Sequence, residues 1–212
     1  SPEQGLFLRD TWRLNTDICA YNSELFYESK LHSVDGCELQ KIQSNSLFSG
    51  SGLRYCPVEH SGNTSSAIEE AEAVKKIVDA ILASNSTWID RAGVERNIAL
   101  EDILIIAPYN AQVFEINQRI PNAFVGTVDK FQGQEAPIAI YTMATSSYED
   151  APRGMEFLYS SNRMNVAISR AQCLAILVAS PQIFEADCKT PRQMQLANAF
   201  CRYLELAEVI DI

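Results

Sequence analysis

Three arginines have the types and spacing to do chemistry on an anion. Arg13 follows an apolar burst near the start of the chain, where a helix is expected to begin, and a guanidinium there can hold a phosphate through two hydrogen bonds. Arg163 and Arg170 are seven residues apart in a predicted helix, so their side chains would lie on one side within about 20°. Ordinary ion pairs, for instance from Arg13 to Asp10 or Asp17, would explain the same arginines and stabilise by about 0–1 kcal/mol.

Residues 125–135 carry polar groups between two apolar bursts. Gly133 permits a sharp exit from a short helical turn. The Glu135 carboxylate could accept hydrogen bonds from ribose, and the Thr127 hydroxyl could hold a nucleic-acid phosphate. Gln132 and Gln134 flank the glycine. Burying two such polar side chains between core strands is unfavourable unless they bind something. The pattern favours a binding function over plain scaffolding.

Residues 107–112 follow the most apolar stretch of the chain. Pro108 ends the predicted strand, and Asn110 can cap the helix after it. Tyr109 and Gln112 could stack on a base or bind the backbone of a single strand, where stacking contributes about 1–3 kcal/mol per base. A well-formed strand-to-helix turn explains the same residues, and that alternative stays open.

The elements that must position these residues alternate along the chain. Apolar bursts predict strands at 6–8, 53–58, 103–107, 124–128, 138–143 and 174–179. Helical patterns lie at 16–29, 66–82, 111–120, 161–172 and 192–206. The unbroken apolar run at 103–107 indicates a strand buried on both faces. The alternation predicts an α/β fold with a mostly parallel sheet, helices on both faces, and ligands at the carboxyl ends of the strands.

The helix near residue 68 is predicted to open with a capping box formed by Ser66 and Glu69. One face would be apolar and packed against the sheet. The other would be solvated, with Glu70 exposed and an ion pair between Glu72 and Lys76.

Composition limits the class of function. With 17 Lys and Arg against 27 Asp and Glu, the net charge is −10, so a broad nucleic-acid-binding surface is excluded and any such contact must be local. Hydrophobic residues make up 47%, which excludes disorder, yet no run is long enough to span a membrane. The six cysteines are at least 13 residues apart, which predicts no metal site and indicates buried, reduced thiols of a cytosolic protein. The phosphate-loop pattern GxxxxGK[ST] does not occur.

Four stretches, in this order, resemble the C-terminal half of a superfamily 1 helicase. Residues 12–15 (WRLN) resemble motif IV, usually written YRMHP, although Asn15 and Thr16 replace its His-Pro. Residues 107–112 (APYNAQ) resemble the TPYxxQ stretch, 127–135 (TVDKFQGQE) motif V, and 165–171 (NVAISRA) motif VI. The resemblance spans about residues 5 to 180 and is to the Upf1/Dna2-like branch. Residues 148–159 are similar to bacterial proteins in which a RecB-like nuclease precedes the helicase.

The resemblance implies a RecA-like domain that lacks the phosphate loop and completes an ATP site held mainly by another domain. It implies that ATP-bound Mg²⁺ belongs to an N-terminal RecA-like domain of the same protein. The implied catalytic residues are three. Arg170 would be the arginine finger, and Arg13 would be a second arginine on the γ-phosphate. Gln134 (or Gln132) would couple the state of the nucleotide to the bound nucleic-acid strand. The implied ATP-binding residues are Glu135 at the ribose, Arg163 and Gly133. The implied single-strand contacts are Thr127, Tyr109 and Gln112.

The expected organisation is one domain over residues 1–212, with a core over about 5–180 and a C-terminal helix over about 191–207. The chain starts at Ser1 instead of Met, which indicates a piece of a longer protein. The expected function is that of the C-terminal motor domain of an ATP-dependent DNA helicase or translocase. The expected partners are single-stranded DNA, with RNA as the alternative, the N-terminal RecA-like domain and, as an option, a fused RecB-like nuclease, without a membrane, in the bacterial cytoplasm at the nucleoid. A degenerate domain that binds nucleic acid or a partner without catalysis is the alternative, and a free-standing nucleotide hydrolase is a third reading.

Overall fold

The computed structural model describes residues 9–131 and 133–212. The predicted strand at 6–8 and the side chain of Gln132 lie outside these residues. The described part contains six α-helices: α1 Thr16–Phe26, α2 Ile68–Ala83, α3 Asn110–Arg119, α4 Met155–Leu158, α5 Ser161–Ile168 and α6 Pro191–Leu206. It contains eleven strands: β1 Asp10–Thr11, β2 His32–Ser33, β3 Lys41–Gln43, β4 Gly52–Pro57, β5 Thr87–Ile89, β6 Glu95–Asn97, β7 Ile103–Ala107, β8 Phe124–Thr127, β9 Ala136–Thr142, β10 Ala171–Ala179 and β11 Glu208–Val209.

The central sheet has six strands in the order β11-β4-β10-β9-β7-β8. Every ladder in it is parallel, and Ile176 of β10 lies between Arg54 of β4 and Ile140 of β9. All five residues of β7 are buried, which confirms the prediction for that strand. The α/β class with a parallel sheet is confirmed.

Helices cover both faces of the sheet and enclose two apolar cores. Leu104 and Ile106 of β7 point into the core shared with α1, α5 and α6, while Ile103 and Ile105 point into the core shared with α2 and α3. Alternation along the strand therefore supplies both cores from one element, because successive side chains face opposite sides of a sheet. The three-layer architecture is confirmed.

A second, antiparallel sheet of β3, β5 and β6 was not predicted. Its strands have three residues each, and most of their positions are exposed or half-buried. Short strands with polar faces fall below the apolar signal on which the sequence prediction depends.

The ends of two helices differ from the prediction. Helix α1 ends at Phe26 instead of residue 29, and Glu28 and Ser29 then take left-handed backbone angles (φ 51° and 58°). Helix α5 ends at Ile168, because the chain has entered β10 by residue 171. Arg170 is therefore outside the helix.

Helix α2 does not begin with the predicted capping box. Its N-cap is Ala67, which has no capping side chain. Instead the backbone N–H of Ala67 donates to Gln112 Oε1 (2.8 Å), and Gln112 Nε2 donates to the Ala67 carbonyl (3.3 Å) and to Thr142 Oγ1 (3.1 Å). A fully buried glutamine from α3 thus replaces the predicted cap.

Glu70, predicted on a solvated face, is fully buried. Its Oε1 lies 2.9 Å from His60 Nε2, and its Oε2 accepts hydrogen bonds from the Ala144 backbone N–H (2.8 Å) and the Thr142 hydroxyl. His60 Nδ1 lies 2.8 Å from Ser146 Oγ. The carboxylate therefore ties the segment after β4 to the segment after β9.

The predicted ion pair between Glu72 and Lys76 does not form. Glu72 accepts from Arg119 Nε at 2.6 Å, and Lys75 pairs with Asp79 instead. Glu72 therefore links α2 to α3 instead of stabilising α2 alone.

All six cysteines are free. Four are buried, Cys188 is half-buried and Cys201 is exposed, so the prediction of buried thiols holds for four of them. Burial raises the pKa of Cys56 to about 11 and of Cys173 to about 12, which keeps both thiols protonated and unreactive at neutral pH. Among the described helices, none combines the length and apolar character needed to cross a bilayer.

We expect Glu70→Ala to lower the free energy of unfolding by about 2–4 kcal/mol, since it leaves two buried donors without an acceptor. Urea denaturation followed by circular dichroism measures the loss. The control is Glu69→Ala, which removes an exposed carboxylate bonded to Asn63 and should change stability by less than about 0.5 kcal/mol. Equal effects of the two substitutions would show that the buried network contributes nothing special.

Candidate functional site

Glu135 is the meeting point of two predicted site segments. It lies immediately before β9 and accepts hydrogen bonds from Arg13 Nε and from Gln172 Nε2 (2.9 Å). Arg13 Nη1 also donates to the Ser169 carbonyl at 3.2 Å. The residues before α1, before β9 and after α5 therefore converge, which the sequence predicted for Arg13 and Glu135. The alternative pairing of Arg13 with Asp10 or Asp17 is not formed.

Arg170 reaches the same place but has too little counter-charge. Only 8% of the residue is exposed; Nη1 donates to the Gln134 carbonyl (3.2 Å), while the buried Nε has no partner among the described residues. Burial and the positive charge of Arg13 lower the pKa of Arg170, and Glu135 offsets part of that effect. A desolvated cation with an unused donor is suited to an added anion.

An open cavity of about 680 Å³ adjoins these groups, and Trp12, Arg13, Glu135 and Ser169 are among its lining residues. The Trp12 indole is 65% exposed and lies beneath the guanidinium of Arg91, whose Cζ is 4.9 Å from the ring centroid. The cavity therefore combines an aromatic surface with cations, a set that suits a nucleotide.

The donor set here does not fit a Mg²⁺ site. Glu135 is the carboxylate between the two arginines, and both of its oxygens already accept hydrogen bonds from Arg13 and Gln172. Two guanidiniums beside it repel a divalent cation. No group of three or more His, Cys, Asp or Glu side chains in residues 9–131 and 133–212 is arranged to hold a metal ion.

The sequence predicted that the functional residues lie at the carboxyl ends of the strands. For Glu135 and Arg170 this prediction was wrong. Glu135 and Arg170 each precede a strand, so they lie at the amino edge of the parallel sheet. The general rule for open α/β sheets points to the opposite edge. It does not describe a surface formed by residues that lead into strands.

Arg163 does not lie near the residues that surround Arg170. It lies in the first turn of α5, and the axial rise from there to Ile168 is about 8 Å. Its Nη2 lies 3.9 Å from Asp129 Oδ2, and its Cζ is 4.3 Å from the ring centroid of Phe157. The predicted helical alignment of the two arginines was wrong, and Arg163 as an ATP-binding residue finds no support in the geometry.

The residues predicted to contact single-stranded nucleic acid lie at the carboxyl edge of the sheet, and they differ in how far they are exposed to solvent. Thr127, the last residue of β8, is half-buried and in register with Ala107 of β7. Tyr109 is mostly covered: its ring is 5.3 Å from that of Phe157, and burial raises its pKa. The direct contact predicted for Gln112 is wrong, because its side chain is fully buried and engaged with Ala67 and Thr142.

The loop between β8 and β9 crosses from one edge of the sheet to the other. A 3-10 turn, Val128–Phe131, follows Thr127, and Phe131 is fully buried. Gly133 has φ +83°, as its predicted role in a sharp exit requires. Gln134 is exposed, and it is its backbone carbonyl that meets Arg170.

Two small refinements concern the helix caps. Asn15 caps α1 through a hydrogen bond to its Oδ1 from the Asp17 N–H (2.9 Å). The predicted cap of α3 by Asn110 is wrong, because Asn110 is the first helical residue and Tyr109 is the N-cap.

Sequence reasoning missed Arg91 at the nucleotide-sized cavity and Phe157 at the carboxyl edge. Arg91 lies in a turn between two short strands, and its stacking on Trp12 is a contact across 79 positions. Such contacts leave no local periodicity to read.

The sequence of this chain is similar to the sequences of known helicases. A family model described as an AAA domain matches residues 2–182. RNA helicase Mov10l1 of Mus musculus is 31% identical over 194 residues, which cover 83% of this chain and 16% of that protein. Helicase sen1 of Schizosaccharomyces pombe is 27% identical over 206 residues, covering 87% of this chain and 11% of that protein. The chain thus spans less than a fifth of the length of these two relatives.

The solved structures that match include one described as the C-terminal domain of a possible DNA helicase from Lactobacillus plantarum, with a TM-score of 0.48 and 12% sequence identity. The match covers 94% of this chain and 98% of that one.

We expect Arg170→Met to leave the free energy of unfolding unchanged or to raise it by about 1 kcal/mol, because it removes a desolvated cation that has one protein acceptor. Arg54→Met is the matched control. Arg54 is equally buried (7% exposed), but donates to the carbonyls of Ser49, Ser51 and Leu53, so its loss should destabilise by about 2–4 kcal/mol. Urea denaturation compares the two, and a large loss for Arg170→Met would mark that arginine as structural.

Proposed function

The chain belongs to the AAA domain family, as a superfamily 1 helicase-like domain, and we propose on that premise that it is the C-terminal motor domain of an ATP-dependent helicase or translocase. In this proposal an N-terminal RecA-like domain of the same protein binds most of the ATP, with its Mg²⁺, and this chain completes the site. The names of the relatives, RNA helicase and helicase, support the activity class.

The observation that carries the proposal is the convergence of Arg13 and Arg170 on Glu135 with unbalanced positive charge. A γ-phosphate at the cavity mouth would supply the missing anion. In the transition state of phosphoryl transfer, negative charge spreads over the phosphoryl oxygens, and a pre-positioned guanidinium neutralises it. Arg170 takes the role of arginine finger and Arg13 that of second γ-phosphate arginine.

The neighbouring groups fit the rest of a nucleotide. Glu135 would accept hydrogen bonds from the ribose, and the exposed face of Trp12 would stack on the base. Each interaction uses a group already at the cavity wall. Glu135 would then exchange part of its present hydrogen bonding to Arg13 for a ribose hydroxyl.

The bond from Arg170 to the Gln134 carbonyl supports a route from nucleotide to strand. If Arg170 turns towards a phosphate, this bond breaks and the loop over residues 128–135 loses one of its contacts at the amino edge of the sheet. The other end of that loop is attached to Thr127, at the edge where a single strand of DNA or RNA would bind. The state of the nucleotide would then change the affinity for single-stranded nucleic acid, which is the coupling that a translocase needs.

The attached RecB-like nuclease, the choice between DNA and RNA, and a bacterial nucleoid location stay predictions from the resemblance. They concern parts or partners beyond this chain.

We expect Arg170→Ala in the full-length protein to lower ATP turnover by about 10³-fold or more, because the arginine acts on the transition state. Turnover is measured as phosphate release with saturating single strand. Arg202→Ala, a change at a surface arginine paired with Glu24 and Glu205, is the control and should retain near wild-type turnover.

The 212-residue chain by itself should release no phosphate from ATP. Turnover close to wild type in the Arg170→Ala protein would overturn the arginine-finger assignment. Hydrolysis by the chain alone would overturn the shared site.

A further inference from the structure

Phe157 carries two guanidiniums close to its ring. The Cζ atoms of Arg153 and Arg163 lie 4.0 and 4.3 Å from the ring centroid, and the ring of Tyr109 lies 5.3 Å away, tilted by 35°. We call these four residues the Phe157 cluster. The two cations lie over one ring, which an aromatic quadrupole favours for each of them but which leaves their mutual repulsion in place.

The cluster has more positive charge than the protein neutralises. Among the described residues Arg153 makes no ion pair and donates no hydrogen bond, and its side chain is exposed. The carboxylate that meets Arg163 is Asp129, at 3.9 Å, with 84% of its side chain exposed. Four arginines elsewhere on the surface pair with carboxylates at 2.6–3.1 Å: Arg96, Arg119, Arg192 and Arg202. In a chain with a net charge of −10, two adjacent guanidiniums that have one carboxylate of the described residues between them within ion-pair distance, the exposed Asp129, are suited to an external anion.

The position of the cluster identifies the kind of anion. Tyr109 follows β7, and Asp129 comes two residues after Thr127, so both lie at the carboxyl edge. Arg163 is in the first turn of α5 at the same edge. The cluster therefore adjoins the surface that the proposed function gives to a single strand, and lies away from the nucleotide cavity.

We propose that Arg153 and Arg163 bind phosphates of a single-stranded nucleic acid, with the Phe157 ring holding the two guanidiniums side by side. Guanidiniums bind phosphate through paired hydrogen bonds. The inference rests on the proposed function for the strand but does not depend on ATP hydrolysis. It also reassigns Arg163 from the nucleotide to the strand.

The reassignment gives α5 a mechanical role. Arg163 lies in the first turn of this eight-residue helix, and Arg170 follows two residues after its end. A shift of the helix along its axis would therefore move a strand-binding arginine and the proposed finger together. Coupling would need no element other than one short helix, whose Met164, Ala167 and Ile168 are buried.

The test measures binding of fluorescein-labelled oligothymidine and oligouridine of about 20 nucleotides to the full-length protein by fluorescence anisotropy, over salt from about 50 to 200 mM. The variant is Arg153→Ala with Arg163→Ala. We expect about tenfold weaker binding at low salt, and a slope of log K against log salt that is shallower by about 1.4, since each lost phosphate contact on a single strand removes about 0.7.

Two controls make the result specific. Arg119→Ala with Arg202→Ala removes the same net charge elsewhere and should leave the slope unchanged. Arg153→Lys with Arg163→Lys keeps the charge and should restore most of the slope. Circular dichroism confirms that each variant is folded, and an unchanged slope in the folded double alanine variant would overturn the proposal.

A second readout separates this inference from the proposed function. A fluorescent ADP analogue should bind the double alanine variant as tightly as wild type, because neither arginine reaches the nucleotide cavity. Lost ADP binding with an intact salt slope would place Arg163 at the nucleotide after all and overturn the inference. The two proposals can also fail separately. If the double alanine variant loses the salt dependence of binding while Arg170→Ala still hydrolyses ATP, this inference stands and the arginine-finger assignment is overturned.

Discussion

The amino edge of the central sheet holds a buried guanidinium, that of Arg170, which has too few hydrogen-bond acceptors in the protein, and the arrangement of its neighbours depends on this deficit. Arg170 is desolvated, repelled by Arg13 and hydrogen-bonded to the protein through one carbonyl. Nothing in folding alone favours that arrangement, because a buried cation is stable only when charge and hydrogen bonds compensate it. Glu135 supplies part of the compensation and an anion at the open cavity would supply the rest. The local deficit therefore points to binding.

The parallel sheet separates this edge from the one where a nucleic acid would lie. Two connections join them: α5, from Arg163 towards Arg170, and the loop from Thr127 to Glu135. Both connections are anchored in the core, by Met164 and Phe131 respectively, so neither can move without repacking. A packed core tends to have discrete alternative arrangements, which is what a two-state coupling element requires.

Burial divides the polar groups of this protein into two kinds. Gln112 and Glu70 are fully satisfied inside the protein, where they replace a helix cap and join two loops. Arg153 and Arg170 have donors that the protein does not use. A residue type therefore says little by itself, and the contacts of its polar atoms in the folded chain must be known as well.

The sequence by itself determined five of the six strands of the central sheet, the five longer helices and the layering, because apolar runs and helical periodicity are local and each core strand must face two covered sides. It also singled out Arg13, Glu135 and Arg170, through short motifs, as candidates for a nucleotide site. Only the tertiary structure decided which edge of the sheet they share, that α5 ends before Arg170, and that Arg163 lies over Phe157, away from the cavity beside Arg13. The burial of Glu70 and the capping by Gln112 were hidden for the same reason. Each depends on contacts between residues far apart in the chain, and the geometry of such contacts follows from packing.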